Sequence, residues 1–103
     1  MKRGYEMPGY IILGKWAQKG IAEVKQAPER MKQGRAAAER LGGKMVGMWV
    51  TMGQYDGVII VDMPNDQAAA LFSLGMASMG AATTQTMRAF SEDEFAEIVA
   101  KLP

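Results

Sequence analysis

The run Val58-Ile59-Ile60-Val61 constrains this chain more than any other segment. Four consecutive apolar, β-branched residues leave no polar face, so the strand they form must be covered on both sides. They follow at once on Met52-Gly53-Gln54-Tyr55-Asp56-Gly57, a glycine-bounded polar stretch that reads as a tight hairpin turn. A hairpin that enters a doubly covered strand belongs inside a sheet with something packed on each face. The remaining sequence has to supply those covers.

Upstream, residues 9–16 carry Tyr10-Ile11-Ile12-Leu13 and predict a first strand, which Gln18-Lys19-Gly20 interrupts. Ile21, Val24, Met31, Ala38 and Leu41 then recur at spacings of three or seven, the stripe of an amphipathic helix. Pro28 is placed to open the main helix, with residues 21–26 as a separate lead-in, and Gly42-Gly43 closes it. Residues 44–52 predict a second strand, with Val46, Met48, Val50 and Met52 on one face and Met45, Gly47, Trp49 and Thr51 on the other. The third strand covers residues 58–63. Pro64-Asn65-Asp66 then signals a helix start with Asn65 or Asp66 as cap, and the helix runs to about Met79 before Gly80.

Residues 81–90, marked by Thr83-Thr84-Gln85-Thr86, form the fourth strand. Ser91-Glu92-Asp93-Glu94 is a capping box between Phe90 and Phe95, and Phe95, Ile98, Val99 and Leu102 give the final helix one apolar face. The order is βαββαβ with an extra C-terminal helix, an α+β, ferredoxin-like arrangement: a four-stranded antiparallel sheet with two helices on one face. The bulky residues on both sides of the first and third strands leave the second face apolar and bare. Such a patch marks an interface, and a second copy of the chain is expected to cover it.

Composition narrows the chemistry. The 103 residues suit one domain, expected over residues 8–103 behind a disordered lead at 1–7, with Met7 a candidate natural start. Twelve basic against eleven acidic residues give a net charge of +1, no field to draw nucleic acid or an anionic membrane. There is no cysteine and no histidine. This excludes thiol nucleophiles, disulfides, Cys/His zinc sites, histidine-ligated haem and a histidine general base. No run approaches the roughly 18 apolar residues of a membrane span. A cytoplasmic location, with no metal and no cofactor, is the expectation.

The residues that carry the fold also resemble a known family. Met52-Gly53-Gln54-Tyr55-Asp56 before Val58-Ile59-Ile60-Val61 is similar to the hallmark of the GYD-domain family of small bacterial proteins, and Gly53-Gln54-Tyr55-Asp56 is a common variant of its motif. Three other blocks agree: Trp16 through Gly20-Ile21, Ala38-Glu39-Arg40-Leu41-Gly42-Gly43-Lys44, and Thr84-Gln85-Thr86-Met87-Arg88-Ala89-Phe90. The resemblance spans residues 8–102. It implies a ferredoxin-like domain that pairs as a dimeric α/β barrel, and it carries over no activity and no catalytic residue.

The candidate site residues each have two readings. Tyr55 and Asp56 are either a phenol donor and a carboxylate base at a pocket mouth or plain turn residues. Arg88, which shares a strand face with Thr84 and Thr86, is either a cation awaiting a ligand carboxylate or one half of an internal ion pair with Asp56 or Asp62. Trp16, Trp49 and Tyr10 can stack on a flat ligand or pack in a core or interface. Lys15 becomes a base only if burial lowers its pKa. The ten methionines, Met45, Met48, Met52, Met76 and Met79 among them, read as adaptable packing ahead of a soft-metal site. Glu92, Asp93 and Glu94 read as helix-start acids ahead of metal ligands. The second strand lacks the aromatic and basic signature of an RNA-binding sheet. The functional expectation is a homo-oligomer, a homodimer or a higher even-numbered assembly. It would bind a small apolar or carboxylate-bearing molecule, possess or lack cofactor-independent catalysis, or serve as a ligand sensor or assembly module. Tyr55, Asp56 and Arg88 are the catalytic candidates; Trp16, Trp49, Thr84 and Thr86 are the ligand-binding ones.

Overall fold

A computed structural model describes residues 7–103. The lead expected over residues 1–7 thus lies, Met7 apart, outside the described residues. Four strands, β1 (Gly9–Trp16), β2 (Lys44–Val50), β3 (Gly57–Asp62) and β4 (Ala82–Ala89), form one antiparallel sheet in the order β2-β3-β1-β4. The helices are α1 (Gln18–Ala22), α2 (Ala27–Arg40), α3 (Asp66–Ser78) and α4 (Glu92–Val99), with a short 3₁₀ turn at Val24–Gln26. This is the ferredoxin-like order with one helix added. β1 and β3 are the central strands, and their register pairs Ile12 with Ile59 and Tyr10 with Val61.

The helix boundaries follow from local chemistry. Pro28 stands in the first turn of α2, where its missing N–H breaks no hydrogen bond. At the other end Gly42, at φ +83°, makes the left-handed exit: its N–H donates to the Glu39 carbonyl while that of Gly43 donates to Ala38. Asn65 caps α3 by accepting the Ala68 N–H at 2.9 Å. Ser91 and Glu94 complete the expected capping box at α4.

One face of the sheet carries the core. Tyr10, Ile12, Val61 and Met45 pack there with Ala38 of α2 and Ala68, Ala69 and Phe72 of α3, and Met63 joins them. Burying such side chains stabilises by about 1.5–3 kcal/mol each for the larger ones. Ile11, Leu13, Val58 and Ile60 alternate onto the opposite face, half-buried, with Met87 of β4 beside them. The helix residues of the core cluster, Ala38, Ala68, Ala69 and Phe72, pack with the first face.

Two readings of β2 need correction. A bulge between Met45 and Gly47 leaves Val46 without a partner on β3, so Met45 and Met48 share the core face while Gly47 and Trp49 take the open one. The alternation expected across residues 44–52 therefore breaks at Val46. β2 also stops at Val50, and Met52 stands wholly exposed. The stretch from Thr51 to Asp56 is a self-closed loop rather than a tight turn: the Thr51 N–H donates to the Asp56 carbonyl at 2.8 Å, and its hydroxyl donates to the Tyr55 carbonyl.

Candidate functional site

The sheet and the helices do not meet tightly along their whole length. Between α2 and the core face lies a cavity of about 160 Å³. Ile12 and Trp16 of β1, Ile59 of β3, Met48 of β2, Met31 of α2 and Met76 of α3 make its apolar walls. Gly34, in the middle of α2, withholds a side chain from the same space. Polar groups at this cavity are few: Arg30, Lys15, Asp56 and Thr84.

The structure divides the candidate residues among four places. Trp16, Thr84 and Asp56 reach the cavity, and Trp49 touches its edge. The Trp49 ring itself lies across Gly47 on the open face, where a Cβ at position 47 would fall 2.3 Å from it. Asp56 is bound into the backbone: its Oδ2 accepts the Trp16 N–H at 2.8 Å, and its own N–H donates to the Gly14 carbonyl. These bonds extend the β1–β3 pairing past the end of the strands, which is turn chemistry carried by a carboxylate. Tyr55 points to the other side of the sheet, where its hydroxyl donates to Gln85 at 3.2 Å and the Lys15 ammonium lies 5.4 Å from its ring. Thr86 faces α3, sharing a 2.6 Å hydrogen bond with Ser73.

Arg88 sits at the far end of the core face, away from the cavity. Its partner is neither Asp56 nor Asp62 but Glu94, at 2.9 Å, and it donates also to the Ala89 carbonyl. Its guanidinium stacks over Phe90 at 4.5 Å from the ring centre. The Ser91 N–H, with Arg88, holds the Glu94 carboxyl below its usual range. Thus Arg88 fastens the start of α4 to the sheet edge. Tyr10 lies beneath, buried, its hydroxyl donating to Asp66 at 2.5 Å.

Burial, then the hydrogen bond to the Asp66 carboxylate and its charge, push the Tyr10 hydroxyl up to about 12, against opposition from Arg88. A group whose folded pKa is raised contributes stability fully present below its unfolded value of 10.0 and lost as pH rises through about 12. In an alkaline absorbance titration, the difference between wild type and Tyr10→Phe should be a step centred near 12. A difference step at 10.0 would rule this arrangement out.

Arg30, Met31 and Gly34 were not legible as cavity residues. Arg30 is one base among several on α2, and only the glycine interrupting a good helix pattern hinted at space there. Among the described residues no group of three or more acidic, His or Cys side chains could hold a metal, and no helix is long and apolar enough to cross a membrane.

A four-stranded antiparallel sheet in this order, with helices packed on its core face, defines a ferredoxin-like α+β fold. Residues 10–99 match the sequence model of the GYD domain, and the chain belongs to that family. It is 30% identical over 97 residues to a Thermus thermophilus protein named glutamine synthetase and cystathionine beta-lyase binding protein, a match covering 93% of this chain and 99% of that one. The solved structure of FFRP-DM1 superposes with a TM-score of 0.60 at 22% identity, over 82% of this chain and all of the other, a likeness of fold alone.

Proposed function

We propose that this protein is a homo-oligomeric, cytoplasmic binding module that holds a small apolar or carboxylate-bearing molecule and acts by contact with other proteins rather than by catalysis. The observation that carries this reading is the dispersal of its reactive groups. Asp56 and Arg88 are held in structural bonds, and Tyr55 stands across the sheet from the cavity. The cavity walls are apolar and sulfur-rich, suited to holding a molecule more than to moving protons.

Two apolar surfaces supply the contacts. The open sheet face, with Leu13, Val58 and Ile60, fits a second copy as a face-to-face pair. The outer side of α4, with Phe95, Ile98 and Val99, is a separate surface left for another protein. The Thermus relative is named for binding two metabolic enzymes, and enzymes of that kind are the partner class proposed here.

Native mass spectrometry of the purified chain should give even multiples of the 11.2 kDa protomer, and Ile60→Glu should shift the population toward monomer by burying an unpaired charge. A wild-type monomer would overturn the pairing. The chain mixed with the glutamine synthetase and the cystathionine β-lyase of its own organism should co-elute with at least one. Separate elution from both would overturn the partner class.

A further inference from the structure

We propose that the cavity under α2 takes a small apolar carboxylic acid, as its anion, and that Arg30 is the residue that recognises the carboxylate. This rests on the small-molecule reading above and goes beyond it by naming the ligand class and its anchor. Arg30 lines the cavity. Its guanidinium is engaged on one side only, by an ion pair from Nη2 to Glu23 just upstream of α2. Nη1 is buried and has no hydrogen-bond partner among the described residues. A buried charged donor without an acceptor is costly, and native structures rarely retain one without a use. An arginine fork can serve two carboxylates at once, and Glu23 fills only one of those places.

The other charged groups at the cavity face different neighbours. Asp56 accepts from Trp16, and the Lys15 ammonium lies over the Tyr55 ring. Among the described residues lining the cavity, Arg30 is thus the cation with a buried, unpartnered donor. The apolar part of the guest is set by the walls. A cavity near 160 Å³ is the size that admits a benzene ring, about 150 Å³. That corresponds to one ring or a chain of about six carbons, and thioether walls tolerate either shape.

Gly34 points the same way. An added Cβ there would meet only the Met45 and Met48 methyl groups, at 3.7 and 3.9 Å, ordinary contact distances. Sterics therefore permit alanine, and helix propensity favours it. Glycine at this position leaves the space beside Met48 open.

The test is calorimetric titration of the full chain with benzoate and hexanoate, and with neutral benzyl alcohol as the control. Benzoate or hexanoate should bind saturably. Arg30→Met, confirmed folded by circular dichroism, should weaken the carboxylates about tenfold or more, the loss expected of a charged hydrogen bond, and leave benzyl alcohol unchanged. If acids and alcohol bind alike and Arg30→Met alters neither, the Arg30 assignment falls while the small-molecule reading stands. If no probe binds the wild type, both readings fall.

Discussion

Gly20→Ala is expected to lower the melting temperature by roughly 10 °C or more, with the effect arising outside the core. Gly20 packs α1 against the strand that enters the sheet at Ala82. A Cβ at that position would sit 1.9 Å from the Ala81 carbonyl oxygen and 3.0 Å from the Trp16 ring. Both obstacles are fixed: the Ala81 carbonyl accepts the Ala17 N–H at 2.9 Å, and the Trp16 backbone is tied to Asp56. Forcing a methyl group against backbone costs about 1–3 kcal/mol or more, and each kcal/mol moves the melting point of a domain this size by about 4–8 °C. Gly75→Ala, where nothing lies within 4 Å, is the matched control in α3 and should stabilise by a fraction of a kcal/mol to about 1 kcal/mol. The two variants should move in opposite directions at equal protein concentration. A Gly20→Ala protein that melts with wild type would mean that α1 does not seat as described.

Phe72→Ala should cost about 3–5 kcal/mol, the range for emptying a buried aromatic site. Phe72 is 2% exposed and stands among Tyr10, Ile12, Met63 and Ala69 in the core on the helix-covered face. Typical domain stability is about 5–15 kcal/mol, so the variant should unfold at a small fraction of the wild-type urea concentration or fail to accumulate. Leu74→Ala, two residues along the same helix at 66% exposure, should shift the midpoint by no more than about 0.5 kcal/mol. Equal effects at the two positions would place α3 in the wrong rotation.

The element order, both main helices and the capping box were legible because each depends on spacing within a few residues. Pro28, Gly42, Asn65 and Ser91 act on backbone groups next to them, and the helices begin and end where those residues dictate. The bulge at Val46 was not legible. Gly47 inside a strand pattern is a local hint of irregularity, but the extra residue itself is visible only against β3. Because a strand alternates with period two, that single residue decided which face Met48 and Trp49 occupy.

The site was less legible than the fold for a related reason. Tyr55 and Asp56 are neighbours in the chain and were read together, yet the loop aims them differently: Tyr55 meets Gln85 on the open face, and Asp56 closes on Trp16. Arg88 was expected to need an anion from Asp56, Asp62 or a ligand, and found it six residues further on, in Glu94. The sequence by itself determined the strand and helix order, the two-faced apolar sheet and the family, since hydrophobic period and turn chemistry are properties of contiguous residues. Only the tertiary structure decided where α2 stands away from the sheet and which guanidinium borders the space that results. A cavity is the gap between elements distant in sequence, and no spacing within any one of them records it.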